Sequence, residues 1–384
     1  MRILFTFIGG LGHFYPLLPV ARAAQAARHE VAVACSGGLV DRVEASGFRA
    51  LATSTAPPPA ARSRDLTPLA PVDARAAEVE FAENFADRGA RRHATAVQEC
   101  IAAWGPDLVV RDEADLGSAL AAEVRGIPTA TVLVLASGLL IRPELVGPPL
   151  ATLRAEHGLP PDPDLSLLTR GVVLSPFPPS FRSPRSPVRL PASTSYFRSE
   201  ASPAVPGATA RPPRRQVYAT LGTVFSTGSG DLLERLVEGL AEVEADVLLT
   251  VGHHVDPADL GPRPAHVRVE RFVPQAEVLA TADLVVSHGG SGSLVAALAH
   301  GLPSVLLPLG ADQPHNAARA EELGLARVLD AATATPEEIR RGVEEALQDD
   351  EARVRARRVA DEIAALAGVE AVLPVLERHA ASAP

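Results

Sequence analysis

Lysine is absent from all 384 residues, so the 36 positions counted as Lys plus Arg are arginine throughout. Asparagine occurs only at Asn84 and Asn316, whereas proline (35) and glycine (29) are abundant alongside alanine. A GC-rich coding bias produces this pattern, and it warns against reading function into arginine runs. Arg211-Pro-Pro-Arg-Arg215 is therefore expected to be solvated linker. A cationic excess is also lacking: the net charge of −10 argues against nucleic acid or an anionic membrane surface as the main partner. The two cysteines, Cys35 and Cys100, share no metal-like spacing, so both are expected to be buried thiols in a reducing cytoplasm. The apolar, uncharged stretch from Ile127 to Ile141 is too short to span a bilayer. The apolar start is interrupted by Gly9, Gly10, Gly12 and His13 without a cleavage site before Arg22 and Arg28, so it reads as a first strand rather than a signal peptide.

A chain of this length predicts two domains. In the first half, apolar strands (3–8, 30–35, 107–110, 129–135) alternate with helical patterns (17–28, 39–46, 76–104, 117–125). Uniformly apolar strands between helices indicate a parallel sheet covered on both faces. Residues 52–75 and 142–165 read as loops or short helices. Periodicity vanishes at 198–215, the best linker, and then the alternation restarts. Strands are expected at 216–221, 247–251, 267–270, 284–287 and 304–308, with helices at 232–242, 276–280, 293–299 and 313–323. From Pro336 to about Ala380 the pattern is helical. The expected division is 1–200, a linker at 201–215, and 216–384, with the terminal helix able to pack back on the first domain. Two doubly wound domains facing each other is the fold expectation, and ligands should lie at the carboxyl ends of the strands.

The strand at 284–287 runs directly into His288-Gly-Gly-Ser-Gly-Ser293 and then a helix. Glycines there let backbone N–H groups approach an anion, the helix start adds a favourable dipole, and His288 and Ser293 can donate to phosphate oxygens. Neither a P-loop nor a dinucleotide fingerprint is formed. Phe272-Val-Pro-Gln275 precedes this turn, and Pro308-Leu-Gly-Ala-Asp-Gln-Pro-His-Asn316 follows it. From Arg271 to Gly324 the chain resembles the donor-binding signature of family-1 glycosyltransferases of GT-B fold, especially bacterial enzymes that decorate antibiotics. In outline the resemblance covers the whole chain.

It implies that Phe272 lies against a nucleobase, with Val273 and Gln275 at its edge. His288, Gly290, Ser291, Gly292 and Ser293 would hold a diphosphate, with Thr223 and Gly12 also on the donor. Asp312 and Gln313 would bond sugar hydroxyls, although such a pair can equally cap the helix that follows. Two departures stand out. Position 272 is phenylalanine where tryptophan is frequent, and Ala296 replaces a glutamate that accepts ribose hydroxyls in many relatives. The second change fits a dTDP rather than a UDP donor.

At the first strand, Gly9-Gly-Leu-Gly-His-Phe-Tyr-Pro16 resembles the same family's glycine turn, whose histidine is the general base. The chemistry supports this independently. A hydroxyl is a poor nucleophile near neutral pH, and imidazole titrates in the range needed to take its proton. In a sheet of order 3-2-1-4-5 the strands bearing His13 and Asp112 are neighbours, so Asp112 can orient the imidazole; Glu113 and Asp115 compete for that role. The expected reaction is displacement with inversion, without metal or other cofactor. Asp162-Pro-Asp164 reads as a solvated loop, and His253, His254 and His315 lack partners at metal spacing. Phe14, Tyr15, Phe81, Phe85 and Leu139 are candidate walls for a hydrophobic acceptor such as a polyketide. The expected partners are a small-molecule acceptor and a nucleotide sugar, with no nucleic acid and no membrane insertion; a homodimer is left open. The competing readings are an epimerase or hydrolase of the same fold, and a non-catalytic sugar-nucleotide-binding protein.

Overall fold

A computed structural model describes residues 1–56, 65–199, 214–222 and 228–382. The chain divides into two compact units, Met1–Ala60 with Arg75–Glu200 and Leu366–Pro384, and Ala61–Ala74 with Ala201–Ala365. The residues just before Arg75 cluster with the second unit, and the last residues, from Leu366, cluster with the first. Most of the linker expected at 201–215 lies outside the described residues.

The first unit contains β1 (Arg2–Thr6), α1 (Leu11–Phe14), α2 (Leu18–Ala26), β2 (Glu30–Cys35), α3 (Val40–Ala45) and β3 (Arg49–Ala52). After α4 (Ala74–Phe81), a π-helical segment (Ala82–Gly89) leads into α5 (Ala90–Trp104). Then come β4 (Leu108–Asp112), α6 (Leu116–Arg125), β5 (Thr129–Val132), α7 (Pro143–Glu156), β6 (Val172–Ser175) and β7 (Ser195–Arg198). Together with β14 (Ala367–Gly368), described below, these strands form an eight-stranded sheet ordered β14-β7-β6-β5-β4-β1-β2-β3. All its pairings are parallel, with Thr6 opposite Arg111 in the β1–β4 register. Ile3, Phe5, Val33 and Val110 fill one face and Leu4, Ala32 and Val109 the other, which is why these strands are apolar throughout rather than alternating.

The second unit carries β8 (Arg215–Thr220), α8 (Leu232–Ala241), β9 (Ala245–Thr250), β10 (Val267–Glu270), α9 (Gln275–Leu279) and β11 (Leu284–Ser287). There follow α10 (Ser291–Ala299), β12 (Ser304–Leu306), α11 (Gln313–Glu322), β13 (Ala326–Val328), α12 (Pro336–Gln348) and α13 (Asp350–Ala365). Its parallel sheet runs β10-β9-β8-β11-β12-β13, with the order reversing at β8 and β11. The chain ends in β14 and α14 (Leu373–Ala381), whose Leu373 and Leu376 are buried in the first unit's core. No helix of the described residues is long and apolar enough to cross a membrane.

Candidate active site

Beyond β1 the chain turns at Gly9, whose φ of +95° is left-handed, and enters the single turn α1. That turn presents His13, and its Nδ1 stands 3.5 Å from Asp112 Oδ2. Asp112 is fully buried. Its Oδ2 also accepts the Ile8 N–H at 3.0 Å, while Oδ1 accepts the N–H groups of Ala114 (2.5 Å) and Asp115 (3.0 Å). One carboxylate therefore ties the end of β1 to the end of β4 and faces the imidazole. The separation is longer than a tight hydrogen bond, a geometry common in ligand-free sites that contract around substrate.

The rival carboxylates are engaged elsewhere. Asp115 caps α6 through the Ser118 N–H and lies 2.9 Å from His93 Nδ1. Burial works against a charge on His93, but Asp115 outweighs it and holds the imidazole pKa above its usual value. Burial likewise opposes ionisation of Asp115, and His93 overcomes it, keeping the carboxyl below its ordinary range. Glu113 accepts the N–H groups of Val134 and Leu135 at 3.1 Å, and burial pushes its pKa up.

The acceptor-wall residues divide. Phe14 is 1% exposed and stacks on Phe7 at 5.2 Å, so it belongs to the core rather than to a pocket wall. Phe81 is also in the core. Tyr15 is exposed, and Phe85 and Leu139 are half-buried.

In the second unit, His288 at the end of β11 is buried between two glycines. A Cβ on Gly222 would come within 2.8 Å of its Cε1, and one on Gly290 within 2.6 Å of its Nε2. Desolvation depresses the His288 pKa to about 4, against an opposing hydrogen bond with the Thr220 backbone. The imidazole is thus neutral at ordinary pH. Helix α10 starts at Gly290 with no side-chain cap and no acidic residue in its first turn. Its first N–H groups and dipole suit an anion. Gly292 is exposed, and a Cβ there would meet nothing within 4 Å, so the backbone is open to close approach. Ser293 is half-buried in the same turn. Thr223 lies outside the described residues.

Asp312 precedes α11 and follows Ala311, a non-glycine residue at φ +52°. Its Oδ2 accepts from Ser291 Oγ at 2.6 Å and from Asn316 Nδ2 at 2.7 Å. Asn316, fully buried, also donates to the Gly289 carbonyl and to Ser291 Oγ, both at 3.1 Å. Asn316 closes the Pro308–Asn316 motif, and its rarity is the local signal that marks it. Gln313 is 1% exposed and its Oε1 accepts the Leu309 N–H at 2.7 Å, bracing the preceding loop, while Asp312 makes no side-chain cap to α11. Phe272 is 58% exposed and stacks on His253 at 5.6 Å. Beside it Val273 and Gln275 are half-buried, and Gln275 Nε2 has no hydrogen-bond partner among the described residues. Ala296 is half-buried on α10.

Asp162 accepts the Ser166 and Leu167 N–H groups at 2.9 Å, which makes it a turn cap. Among the described residues no group of three or more His, Cys, Asp or Glu side chains is placed to hold a metal ion. Cys35 is buried and Cys100 only half-buried, a correction to the expectation for the latter.

The chain is similar to known glycosyltransferases. Residues 234–377 match the family described as erythromycin biosynthesis protein CIII-like, C-terminal domain. The chain is 30% identical to the L-demethylnoviosyl transferase of Streptomyces niveus, with 94% of each covered. It is also similar to the crystal structure of the glycosyltransferase SnogD from Streptomyces nogalater, at 27% identity and TM-score 0.73 over 99% of both chains. The spinosyn rhamnosyltransferase SpnG complexed with thymidine diphosphate shares the fold, at 22% identity and TM-score 0.79 over 98% of this chain and 100% of that one. The chain belongs to the bacterial GT-B glycosyltransferases of antibiotic and natural-product type, which act on nucleotide sugars.

Proposed function

We propose that the chain transfers a sugar from dTDP to a hydroxyl of a small hydrophobic acceptor, with inversion and without a metal. The observation that carries this is His13 Nδ1 at 3.5 Å from the buried Asp112 carboxylate. With Nδ1 turned to Asp112, Nε2 is the atom that takes the acceptor proton. The acceptor oxygen then bonds to the anomeric carbon, the bond from that carbon to the phosphate oxygen breaks, and the electron pair leaves with the diphosphate. Asp112 stabilises the imidazolium formed. The uncapped start of α10, with Ser291, Ser293 and His288, meets the charge on the leaving group, which is the work a metal ion performs elsewhere.

Gln275 Nε2, buried and without a partner among the described residues, suits a pyrimidine carbonyl beside the exposed Phe272 ring. Ala296 offers no acceptor to a ribose 2′-hydroxyl, which favours dTDP over UDP. The thymidine diphosphate complex of SpnG supports the same choice. A polyketide-like acceptor is supported by that enzyme's complex with spinosyn aglycone.

Mass spectrometry of an acceptor panel with dTDP- and UDP-sugars tests the reading. A mass gain of one sugar is expected, with opposite anomeric configuration, in the presence of a chelator, and lost in His13→Ala while dTDP still binds. Tighter binding of UDP than of dTDP would defeat the donor assignment.

A further inference from the structure

The His13 imidazole is constrained by three neighbours. Asp112 faces Nδ1. Gly9 closes on the ring edge, where a Cβ would lie 3.2 Å from Cδ2 and 3.3 Å from Nε2. On the ring face lies Phe85, nearly parallel at 19° with centroids 5.6 Å apart, and Phe81 stacks in turn on Phe85 at 4.8 Å and 11°.

Phe85 sits within the π-helical segment Ala82–Gly89 rather than on a regular helix. Such segments are rare and recur at functional sites, because the extra residue per turn redirects side chains. This one is sealed by Gly89: a Cβ there would fall 2.1 Å from the Asn84 carbonyl oxygen and 2.9 Å from Ile8 Cδ1, at the end of β1 that carries the glycine turn. Only glycine lets the segment close against the strand. The same packing that holds Ile8 therefore holds Phe85 over the imidazole.

We propose that Phe85 is a positioning residue for the general base, fixing the imidazole plane and favouring the imidazolium through its ring face, instead of lining the acceptor site. The inference rests on the reading of His13 as the base. A neutral imidazole gains only stacking from Phe85. Once protonated it is a cation against a π face, so the contact strengthens as the proton is taken. An interaction stronger in the transition state than before it raises kcat rather than acceptor binding. Among the described residues, the Asp112 carboxylate on β4 is a charged group that faces the imidazole. On the segment that bears Phe85, Glu83, Asp87 and Arg88 are all exposed, with side-chain exposures of 64%, 51% and 67%.

The test uses full-length Phe85→Leu and Phe85→Tyr enzymes, with the His13 imidazole titration followed by NMR beside kcat, acceptor KM and dTDP affinity. For Phe85→Leu the apparent pKa of His13 should fall by about 0.5, and kcat by about tenfold, with acceptor KM and dTDP Kd within about twofold. Phe85→Tyr keeps the ring and should restore kcat and titration to near the parent values. A raised acceptor KM with unchanged kcat and unchanged titration in Phe85→Leu would make Phe85 a pocket wall and overturn the inference. An unchanged titration in the Tyr and Leu variants alike would overturn it as well. Full turnover in His13→Ala would instead sink the base assignment, and the titration, read without turnover, keeps the two failures apart.

Discussion

Asp112 accepts three backbone N–H groups with one carboxylate while facing His13, so its charge holds the β1–β4 junction and is placed to orient the proposed base. Asp112→Asn places an amide donor where only acceptors fit. We expect kcat to fall about 10²-fold or more with dTDP affinity unchanged, because the orienting partner of a catalytic imidazole acts in the transition state. Loss of dTDP binding in that variant would show a structural role only. At the proposed donor site Asn316 links Gly289, Ser291 and Asp312 from a fully buried position. Asn316→Ala leaves those acceptors without their donor, and dTDP-sugar Kd should rise about 10-fold, from roughly 1–2 kcal/mol of lost ordering. Equal affinity in parent and variant, measured by calorimetry, would remove Asn316 from the site. His288 carries a pH signature. Its folded pKa of about 4 lies below the ordinary 6.5, so between those values the unfolded chain binds a proton that the folded one refuses. Its contribution to stability is therefore lost as pH falls from 6.5 towards 4, by up to about 3 kcal/mol. Comparing unfolding of the parent and His288→Gln across that window isolates the effect. His93, shifted the other way, contributes stability that is lost as pH rises through its folded pKa.

At the scale of elements, the strand–turn–helix junctions were legible and the irregular helices were not. Strands β2, β10 and β11 occupy the residues expected: β2 and β11 are compact apolar runs, and β10 alternates as Val-Arg-Val-Glu with Arg268 exposed. Residues 142–165 read as loops or short helices, and the structure has there the 14-residue helix α7, with Pro148 and Pro149 inside it. It forms nonetheless because Val146, Leu150 and Leu153 bury one face in the core, and packing outweighs propensity. The π segment was invisible because its one-residue offset leaves the overall helical spacing of 76–104 almost intact. The turn before α10 makes the element-scale prediction. In Gly290→Ala a methyl would overlap His288 Nε2 at 2.6 Å, forcing the ring aside. Donor affinity should drop about tenfold or more while the fold, read by circular dichroism, is retained. Unchanged affinity would mean that the ring position is irrelevant to the diphosphate.

At the scale of the whole molecule, the last residues return to the first unit, where Val369, Val372, Leu373 and Leu376 are buried beside Phe197. Leu376→Ala should destabilise that unit by about 2–5 kcal/mol while dTDP affinity stays within about twofold, a separation that calorimetric unfolding with and without nucleotide can read. A lower midpoint for the nucleotide-protected transition alone would contradict this division.

By itself the sequence determined the two doubly wound sheets, the placing of a histidine and a glycine-rich turn at strand ends, and the family, because each leaves a local record in apolar runs and glycine spacing. Only the tertiary structure decided which carboxylate faces His13, that Phe14 is core, that Gln313 braces its own loop, and that Phe85 covers the imidazole. These depend on contacts between residues far apart in the chain, such as Ile8 with Gly89 or Asn316 with Gly289, whose geometry no local pattern encodes.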